Sequence, residues 1–171
     1  MIRLEKFGKE NYDDLISWID SEEALMQFAG PLFTFPLNAE QLDKSLEDDK
    51  RIAFRIVDNE SNKGIGHAEI YLLEETAKVG RILIGDTAHR GKGLCQTIMR
   101  LLLDYAFAHL NREKIELNVF DWNKGAIRCY EKVGFVLNPD KTLLRKVKDQ
   151  TWTAINMTID KTTYRKSIMV S

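Results

Sequence analysis

Two stretches of this sequence contain residues whose types and spacing could carry chemistry. The first is 85-GDTAHRGKGLCQ-96, in which three glycines and two cations precede a long apolar segment. Glycines let a backbone approach an anion closely, and the free N–H groups at a helix N-terminus bind one. The stretch therefore predicts a phosphate-binding loop that leads into a helix.

Two common nucleotide-binding motifs do not fit this loop. A Walker A motif, GxxxxGK[ST], needs four residues between its glycines and a hydroxyl residue after its lysine. Here five residues separate Gly85 from Gly91, and Lys92 is followed by Gly93. A dinucleotide fingerprint, GxGxxG, needs a third glycine where Gln96 stands. The loop therefore points to a phosphate ligand of another class.

The second stretch, 118-NVFDWNKGAIRCYEKVGFV-136, carries a helical pattern. The residues at positions i, i+3, i+4 and i+7 of this helix are Asn123, Ala126, Ile127 and Tyr130. At the helical rise, Asn123 and Tyr130 lie about 10 Å apart along one face. The two side chains could contact opposite ends of a bound arm. The alternative is that Asn123 only caps the helix and Tyr130 only packs in the core.

The first stretch resembles the acetyl-CoA pyrophosphate motif of the GCN-five-related N-acetyltransferases, the GNAT superfamily. The family pattern is R-x-x-G-x-G/A, and this sequence has Arg90-Gly91-Lys92-Gly93-Leu94-Cys95. Cys95 stands where the family has Gly or Ala, so we expect a modestly tighter fit and retained binding. The second stretch resembles another signature of the family, N-x-x-A-x-x-x-Y-E-K-x-G-F, read from Asn123 to Phe135.

The resemblance implies roles for residues of both stretches. Tyr130 would lie by the CoA sulfur as general acid, and Asn123 would bind the pantetheine or pyrophosphate arm. By position, the strand segment Leu83-Ile84-Gly85 would meet the pantetheine and the acetyl carbonyl. The residues expected to hold the pyrophosphate are Arg90, Gly91, Lys92, Gly93, Leu94 and Cys95. No metal is expected, because Cys95 and Cys129 lack metal-ligand spacing.

The general base is less clearly specified than the general acid. Alternation along 65-IGHAEIYLL-73 puts His67, Glu69 and Tyr71 on one strand face. If that face looks into a substrate cleft, Glu69 is the first candidate for the base and His67 the second. The alternative is that the face is exposed to solvent. Asn118 cannot take a proton at ordinary pH, but it could position a water molecule that relays one.

The order of elements predicts an α/β (α+β) fold with a mixed sheet. Helices are expected in the first 50 residues, at 93–110 and at about 123–133. Strands are expected at 2–7, 51–58, 65–74, 79–85, 114–120, 135–138 and 151–160, with a polar loop before the last. The resemblance implies a mostly antiparallel GNAT sheet with a V-shaped splay between two parallel strands, flanked by helices.

Length and composition predict one domain over residues 1–171. We expect an N-terminal strand and acceptor-side helices in 1–50, the acetyl-CoA-binding core in 51–138, and a C-terminal strand region in 139–171. We expect the acidic N-terminal segment, residues 1–60, to form a lid over the acceptor site. Four aromatic residues that cluster around this proposed lid are expected mostly in the core, although one could line the acceptor pocket. They are Trp18, Phe28, Phe33 and Phe35.

Charge and hydropathy restrict the partners. The net charge of −1 argues against nucleic acid. The absence of a long apolar run or signal peptide predicts no membrane contact and a cytoplasmic protein. In that reducing compartment Cys95 and Cys129 are expected to be free, packed thiols.

Residues 1–60 contain 7 Lys/Arg and 14 Asp/Glu, a net charge of −7. This acidic segment either is a solvated face or favours a cationic amine.

Together the two stretches predict an N-acetyltransferase that uses acetyl-CoA as cosubstrate. Its acceptor would be a primary amine, such as a protein N-terminus, a polyamine or another small amine. The N-terminal residues look like the branch of the family with ribosomal-protein N-terminal and polyamine acetyltransferases. The alternative is a non-catalytic CoA-binding sensor or scaffold, which would have no need of Tyr130. Either a monomer or a homodimer fits the sequence.

Overall fold

Apolar residues that alternate with polar ones, together with N-capping side chains, set most element boundaries in this chain. The computed structural model describes residues 1–170. Its strands are β1 (Ile2–Lys6), β2 (Arg51–Asp58), β3 (Gly64–Leu72), β4 (Ala77–Ile84), β5 (Lys114–Phe120), β6 (Val136–Val147) and β7 (Gln150–Asp160). Its α-helices are α1 (Tyr12–Trp18), α2 (Glu22–Ala29), α3 (Ala39–Leu46), α4 (Leu94–His109), α5 (Lys124–Val133) and α6 (Lys161–Met169).

The strands form one mixed sheet in the order β1-β2-β3-β4-β5-β7-β6. Strand β2 pairs antiparallel with β1 and β3, and β7 pairs antiparallel with β5 and β6. Strands β4 and β5 are parallel, with Ala77 opposite Ile115 and Lys78 opposite Glu116. This arrangement confirms the predicted mostly antiparallel mixed sheet flanked by helices.

The contacts within the chain group into two units. The first unit contains Met1–Tyr71 and Gly80–Leu94. Its core brings together Leu15, Leu25 and Leu42 from helices α1 to α3, with Phe7 and Ala53 beside them. Two of these helices have side-chain caps: Ser21 Oγ accepts from the Ala24 amide and Asn38 Oδ1 from the Gln41 amide. Each cap satisfies an amide that has no partner inside its helix.

The second unit contains Leu72–Val79 and the residues from Cys95 onward. Its longest helix, α4, is apolar over most of its circumference, and the fully buried residues of that helix include Ile98, Leu102 and Leu103. The C-terminal helix α6, which the sequence did not predict, packs on α4 through Tyr164. The Tyr164 ring lies 5.6 Å from that of Phe107.

The predicted polar loop before the last strand is wrong. The strand expected at 135–138 continues instead as β6 to Val147, and it pairs antiparallel with β7 on both sides of residues 139–141. The register shifts between Asn138 and Thr142, at the position of Pro139. Leu137 and Leu144 are 55% and 64% exposed. The strand lies at the edge of the sheet, so its polar and exposed composition resembles that of a loop.

In the part of the chain described, residues 1–170, no helix combines the length and the apolar character that a membrane crossing needs.

The Tyr164 hydroxyl should contribute measurably to stability. It donates to the Asp104 carboxylate at 2.7 Å and lies 3.2 Å from the Arg100 carbonyl oxygen. Because a hydrogen bond to a charged group contributes about 2 kcal/mol, we expect Tyr164→Phe to lower the free energy of unfolding by about that amount. Urea denaturation measures this, and a double-mutant cycle with Asp104→Ala should show coupling. Additive effects would contradict the assigned bond.

Candidate functional site

The loop that leads into α4 is fixed at its start by the ends of two strands. The amides of Gly85 and Asp86 both donate to the Ile65 carbonyl oxygen, at 2.9 and 3.1 Å. Asp86 Oδ1 then accepts from the Ala88 amide at 2.9 Å, and Asp86 Oδ2 lies 3.0 Å from His89 Nδ1. These contacts hold a short 3-10 turn, residues 87–89, directly before the glycines.

Gly91 and Gly93 both adopt left-handed backbone conformations, with φ of +73° and +72°. A Cβ atom at either position would meet no atom within 4 Å, so the glycines serve the backbone conformation and leave open space beside it. Lys92, between them, is exposed and adds a positive charge. Left-handed residues directly ahead of the N-terminus of a 16-residue helix are typical of segments whose amides bind an anion.

Arg90 lies at the rim of this loop but is partly engaged. Its Nε donates to the Ile84 carbonyl oxygen at 2.8 Å, and the residue is otherwise exposed. The bond ties the loop back to the end of β4. The rest of the guanidinium group leaves a positive charge at the rim of the loop.

Close contacts fix the position of the segment Leu83-Ile84-Gly85. Neither Gly85 itself nor Gly66, which lies against Leu83, has space for a side chain. A Cβ on Gly66 would lie 2.3 Å from the Leu83 carbonyl oxygen, and a Cβ on Gly85 would lie 1.9 Å from the Trp18 ring. Leu83 packs against the core of the first unit, as does Trp18. Trp18 therefore fixes the position of the strand end from which the loop starts.

The other aromatic residues of the proposed lid lie in or beside the same core, apart from one. Phe28 is buried, with its ring 5.6 Å from that of His67. Phe33 stacks under the Arg81 guanidinium at 4.3 Å. Phe35 is 37% exposed, which makes it the most exposed of the four.

Glu69 is buried in a charged cluster that sequence reasoning did not find. Its carboxylate accepts from Arg51 Nη1 at 2.6 Å and lies 3.3 Å from Arg81 Nη1. His67 Nε2 lies 2.9 Å from the other carboxylate oxygen. Glu69 and His67 are 5% and 1% exposed. The expectation of a solvent-facing strand face is therefore wrong for these two residues.

The cluster makes Glu69 a weak proton acceptor. Burial alone would raise the pKa of this carboxyl, but the hydrogen bond and charge of His67 and the charges of Arg81 and Arg51 lower it to about 2. A carboxylate stabilised in this way holds its negative charge and takes up a proton only in strong acid. Its environment suits a role in positioning Arg51 and Arg81 better than the predicted role of general base.

In the second unit, helix α5 carries Asn123 at its start and Tyr130 two turns later. Asn123 Oδ1 accepts from the Ala126 amide at 3.3 Å, so this residue is the N-cap, as one of the two interpretations of the sequence held. The cap uses only the Oδ1 atom of the Asn123 side chain. Its Nδ2 group can donate to another acceptor, so the cap does not conflict with the predicted cofactor role.

Tyr130 is half-buried on α5, and its ring lies 6.1 Å from that of Phe135. Burial raises the pKa of Tyr130 to about 12. The phenol therefore keeps its proton throughout the neutral and mildly alkaline range. A protonated phenol is the state that a general acid requires.

Asn118 on β5 belongs to a row of three asparagines across neighbouring strands. Asn156 on β7 lies opposite Asn118, and its Nδ2 donates to Asn118 Oδ1 at 2.9 Å. The same nitrogen donates to the Leu117 carbonyl oxygen, which fixes the orientation of the Asn156 amide. Asn138 on β6 in turn donates to Asn156 Oδ1. Asn118 therefore has its oxygen engaged and its Nδ2 donor left to orient another group.

The two cysteines form a disulfide, which corrects the expectation of free thiols. The bond joins Cys95 in the first turn of α4 to Cys129 on α5, with their Cα atoms 6.3 Å apart. The 34-residue separation carries no motif that would have indicated the pairing. Within residues 1–170 no three His, Cys, Asp or Glu side chains are grouped in a way that could hold a metal ion.

Comparison with protein families gives one model that covers most of the chain. The model described as an acetyltransferase (GNAT) domain matches residues 2–136. Among curated proteins, the probable N-acetyltransferase YjcK of Bacillus subtilis is 34% identical over 99 residues, 56% of this chain. The spermidine N(1)-acetyltransferase of Vibrio cholerae is 33% identical over 112 residues, 64% of this chain. The matched regions span only 54% and 63% of these two relatives.

Solved structures share the fold over almost the whole chain. The spermidine N-acetyltransferase of Vibrio cholerae, in complex with CoA and spermine, superposes with a TM-score of 0.79 at 24% identity, over 96% of this chain and 98% of that one. An aminoglycoside acetyltransferase in complex with coenzyme A and kanamycin gives a TM-score of 0.76 at 21% identity, over 97% and 98%. At these identities the likeness is one of fold.

Removing the Glu69 charge should destabilise the protein in a pH-dependent way. Because Glu69→Gln leaves Arg51 and Arg81 buried without their carboxylate, we expect a loss of about 3 kcal/mol in the free energy of unfolding at pH 7. The pKa of Glu69 is lowered in the folded state, so its contribution is complete above its ordinary pKa and is lost as pH falls towards 2.

The measurement is urea denaturation of both proteins at several pH values from 7 downwards. The difference between wild type and Glu69→Gln should shrink below about pH 4.5. Glu40→Gln is the matched control, since Glu40 is exposed and pairs only at 3.6 Å with Lys44, and it should change stability by less than about 0.5 kcal/mol. A difference that is constant with pH would contradict the assigned cluster.

Proposed function

Since the chain belongs to the GNAT acetyltransferase family, we propose that it transfers the acetyl group of acetyl-CoA to a primary amine. The observation that carries the proposal is the pair of left-handed glycines, Gly91 and Gly93, directly ahead of α4, where an added Cβ atom would meet no atom within 4 Å. Acetyl-CoA would supply the thioester from which the acetyl group leaves.

The residues proposed to hold acetyl-CoA follow the family motif. The amides of Gly91 to Cys95 would bind the diphosphate, with Arg90 and Lys92 adding charge. Main-chain groups of Leu83, Ile84 and Gly85 would contact the pantetheine. Asn123 would contact the same arm through its side-chain Nδ2. The position of Gly85, fixed by Trp18 and by the Ile65 carbonyl, supports this assignment.

Proton movement is assigned to two groups of this chain. The Tyr130 hydroxyl holds a proton at neutral pH and would deliver it to the leaving thiolate, forming the thiol of CoA. The attacking amine must lose a proton, and we assign its removal to a water molecule that is oriented by Asn118 Nδ2 and relays the proton to bulk solvent. Glu69 is the less favourable base, because its carboxylate is already engaged by Arg51, Arg81 and His67.

The proposed acceptor is a cationic amine such as a polyamine. The first 60 residues carry a net charge of −7, and four of their exposed carboxylates lie on or beside α1 and α2. These are Asp13, Asp14, Asp20 and Glu22. A surface of this sign raises the local concentration of a positively charged amine. The Vibrio cholerae relative is named for spermidine, which has this chemistry.

Tyr130→Phe tests the catalytic part of the proposal. It removes only the hydroxyl, so acetyl-CoA affinity should be nearly unchanged while turnover falls by about 100-fold. Calorimetry measures the affinity, and release of free CoA thiol with a panel of amines measures turnover. Because the pKa of Tyr130 is about 12, its hydroxyl keeps its proton up to about pH 11. Loss of this proton should therefore cause no fall in the wild-type rate below that pH. Unchanged turnover in the variant would remove Tyr130 from the mechanism.

Gly93→Ala tests the binding loop. An alanine at a φ of +72° costs about 1–2 kcal/mol, so the loop should shift and acetyl-CoA affinity should fall by about 5- to 30-fold. Gly125→Ala on α5 is the matched control, because that glycine also has open space but no left-handed conformation. Equal affinities of the two variants in calorimetry would contradict the proposed cradle.

A further inference from the structure

The disulfide lies in the second unit and joins helix α4 to helix α5. Cys95 is half-buried and supplies the second amide of α4, whereas Cys129 is 8% exposed and directly precedes Tyr130 on α5. One covalent bond therefore connects the helix turn proposed to bind diphosphate with the helix that carries the proposed general acid. Cys95 and Cys129 are the two cysteines of the chain.

The first turn of α4 is less buried than the rest of the helix. Residues 94–97 are half-buried or exposed, and the fully buried face begins at Ile98 and Met99. Packing along that face holds the body of the helix whether or not the disulfide is present. The bond to Cys129 adds a constraint on the turn itself, so its loss would loosen the turn and leave the helix in place.

We propose that Cys95 and Cys129 form a thiol–disulfide modification site whose oxidised state strengthens acetyl-CoA binding. The inference rests on the proposed function, because it assumes that the start of α4 binds this ligand. The physical reason is pre-organisation: amides held in place before the ligand arrives lose less conformational freedom when it binds. The reduced protein binds more weakly because its first turn must be ordered at that moment.

The chemistry is exchange with a small-molecule disulfide such as oxidised glutathione. The Cys95 thiolate attacks one sulfur of that disulfide and releases one small thiol. Cys129 then attacks the Cys95 sulfur, forms the internal bond and releases the second thiol. The two protein thiols lose two electrons and two protons, and the two small thiols gain them.

Thermodynamic linkage makes the effect reciprocal. If oxidation tightens acetyl-CoA binding by a given factor, acetyl-CoA must favour the disulfide over the dithiol by the same factor. The second quantity is measured without any turnover, from the oxidised fraction at a fixed ratio of reduced to oxidised glutathione. A disulfide that is only structural, with no coupling to the ligand, does not show this shift.

The experiment prepares wild type in the oxidised and the reduced form, verified by thiol titration and intact mass. Calorimetry with acetyl-CoA should give a Kd about 5- to 10-fold lower for the oxidised form. Saturating acetyl-CoA should shift the glutathione equilibrium towards the disulfide by the same factor. In reducing buffer Cys129→Ser should bind like the reduced wild type, with helix content compared by circular dichroism; oxidised glutathione is left out for this variant, because the reaction would stop at the mixed disulfide on Cys95.

Three results would overturn the inference. Equal Kd values for the oxidised and reduced wild type, or tighter binding by the reduced form, would remove the coupling while the proposed function stands. Migration of the oxidised protein as a covalent dimer would show that the cysteines pair between chains. Absence of acetyl-CoA binding in both forms would instead overturn the proposed function, and this inference with it. The comparison of the two wild-type forms does not depend on the folding of Cys129→Ser.

Discussion

The carbonyl oxygen of Ile65 accepts hydrogen bonds from two successive amides, those of Gly85 and Asp86, and the geometry of the glycine loop depends on this contact. It fixes the point at which β4 stops and the chain turns. From there Asp86 caps the short turn, and Arg90 bonds back to the Ile84 carbonyl. The left-handed glycines then lead into α4. Without that anchor, the same glycines would be a flexible connection with no fixed anion site.

Local patterns predicted the elements that carry the site. The bounds of β2 and β5 agree with the prediction, and those of α4 differ by one residue at each end, because alternation and helical periodicity are properties of neighbouring residues. Only the first residues of β6 were predicted, within the strand expected at 135–138; the rest was not, because this edge strand is largely polar and exposed.

Interactions between residues that are far apart along the chain could not be predicted from the sequence. The alternation in β3 correctly grouped His67 with Glu69, but it could not say that Arg51 and Arg81 would neutralise this face inside the first unit. Asn156 could have been noticed as a polar residue within an apolar strand, yet its partner Asn118 follows only from the strand register. The disulfide has no spacing signal, because its cysteines lie on separate helices. Roles within the proposed acetyl-CoA site remain predictions that rest on motif resemblance.

The register shift in β6 has a consequence for how the protein behaves at high concentration. An unbroken twelve-residue strand at a sheet border, with leucines at its surface, would offer main-chain donors and acceptors to any other extended segment. Pro139 removes one donor within the shifted part, and Asp140, Lys141, Arg145 and Lys146 place charges along the strand. The edge of the sheet is thus divided into two short segments. Neither segment is long enough to pair stably with strands of other molecules, which disfavours aggregation through this edge.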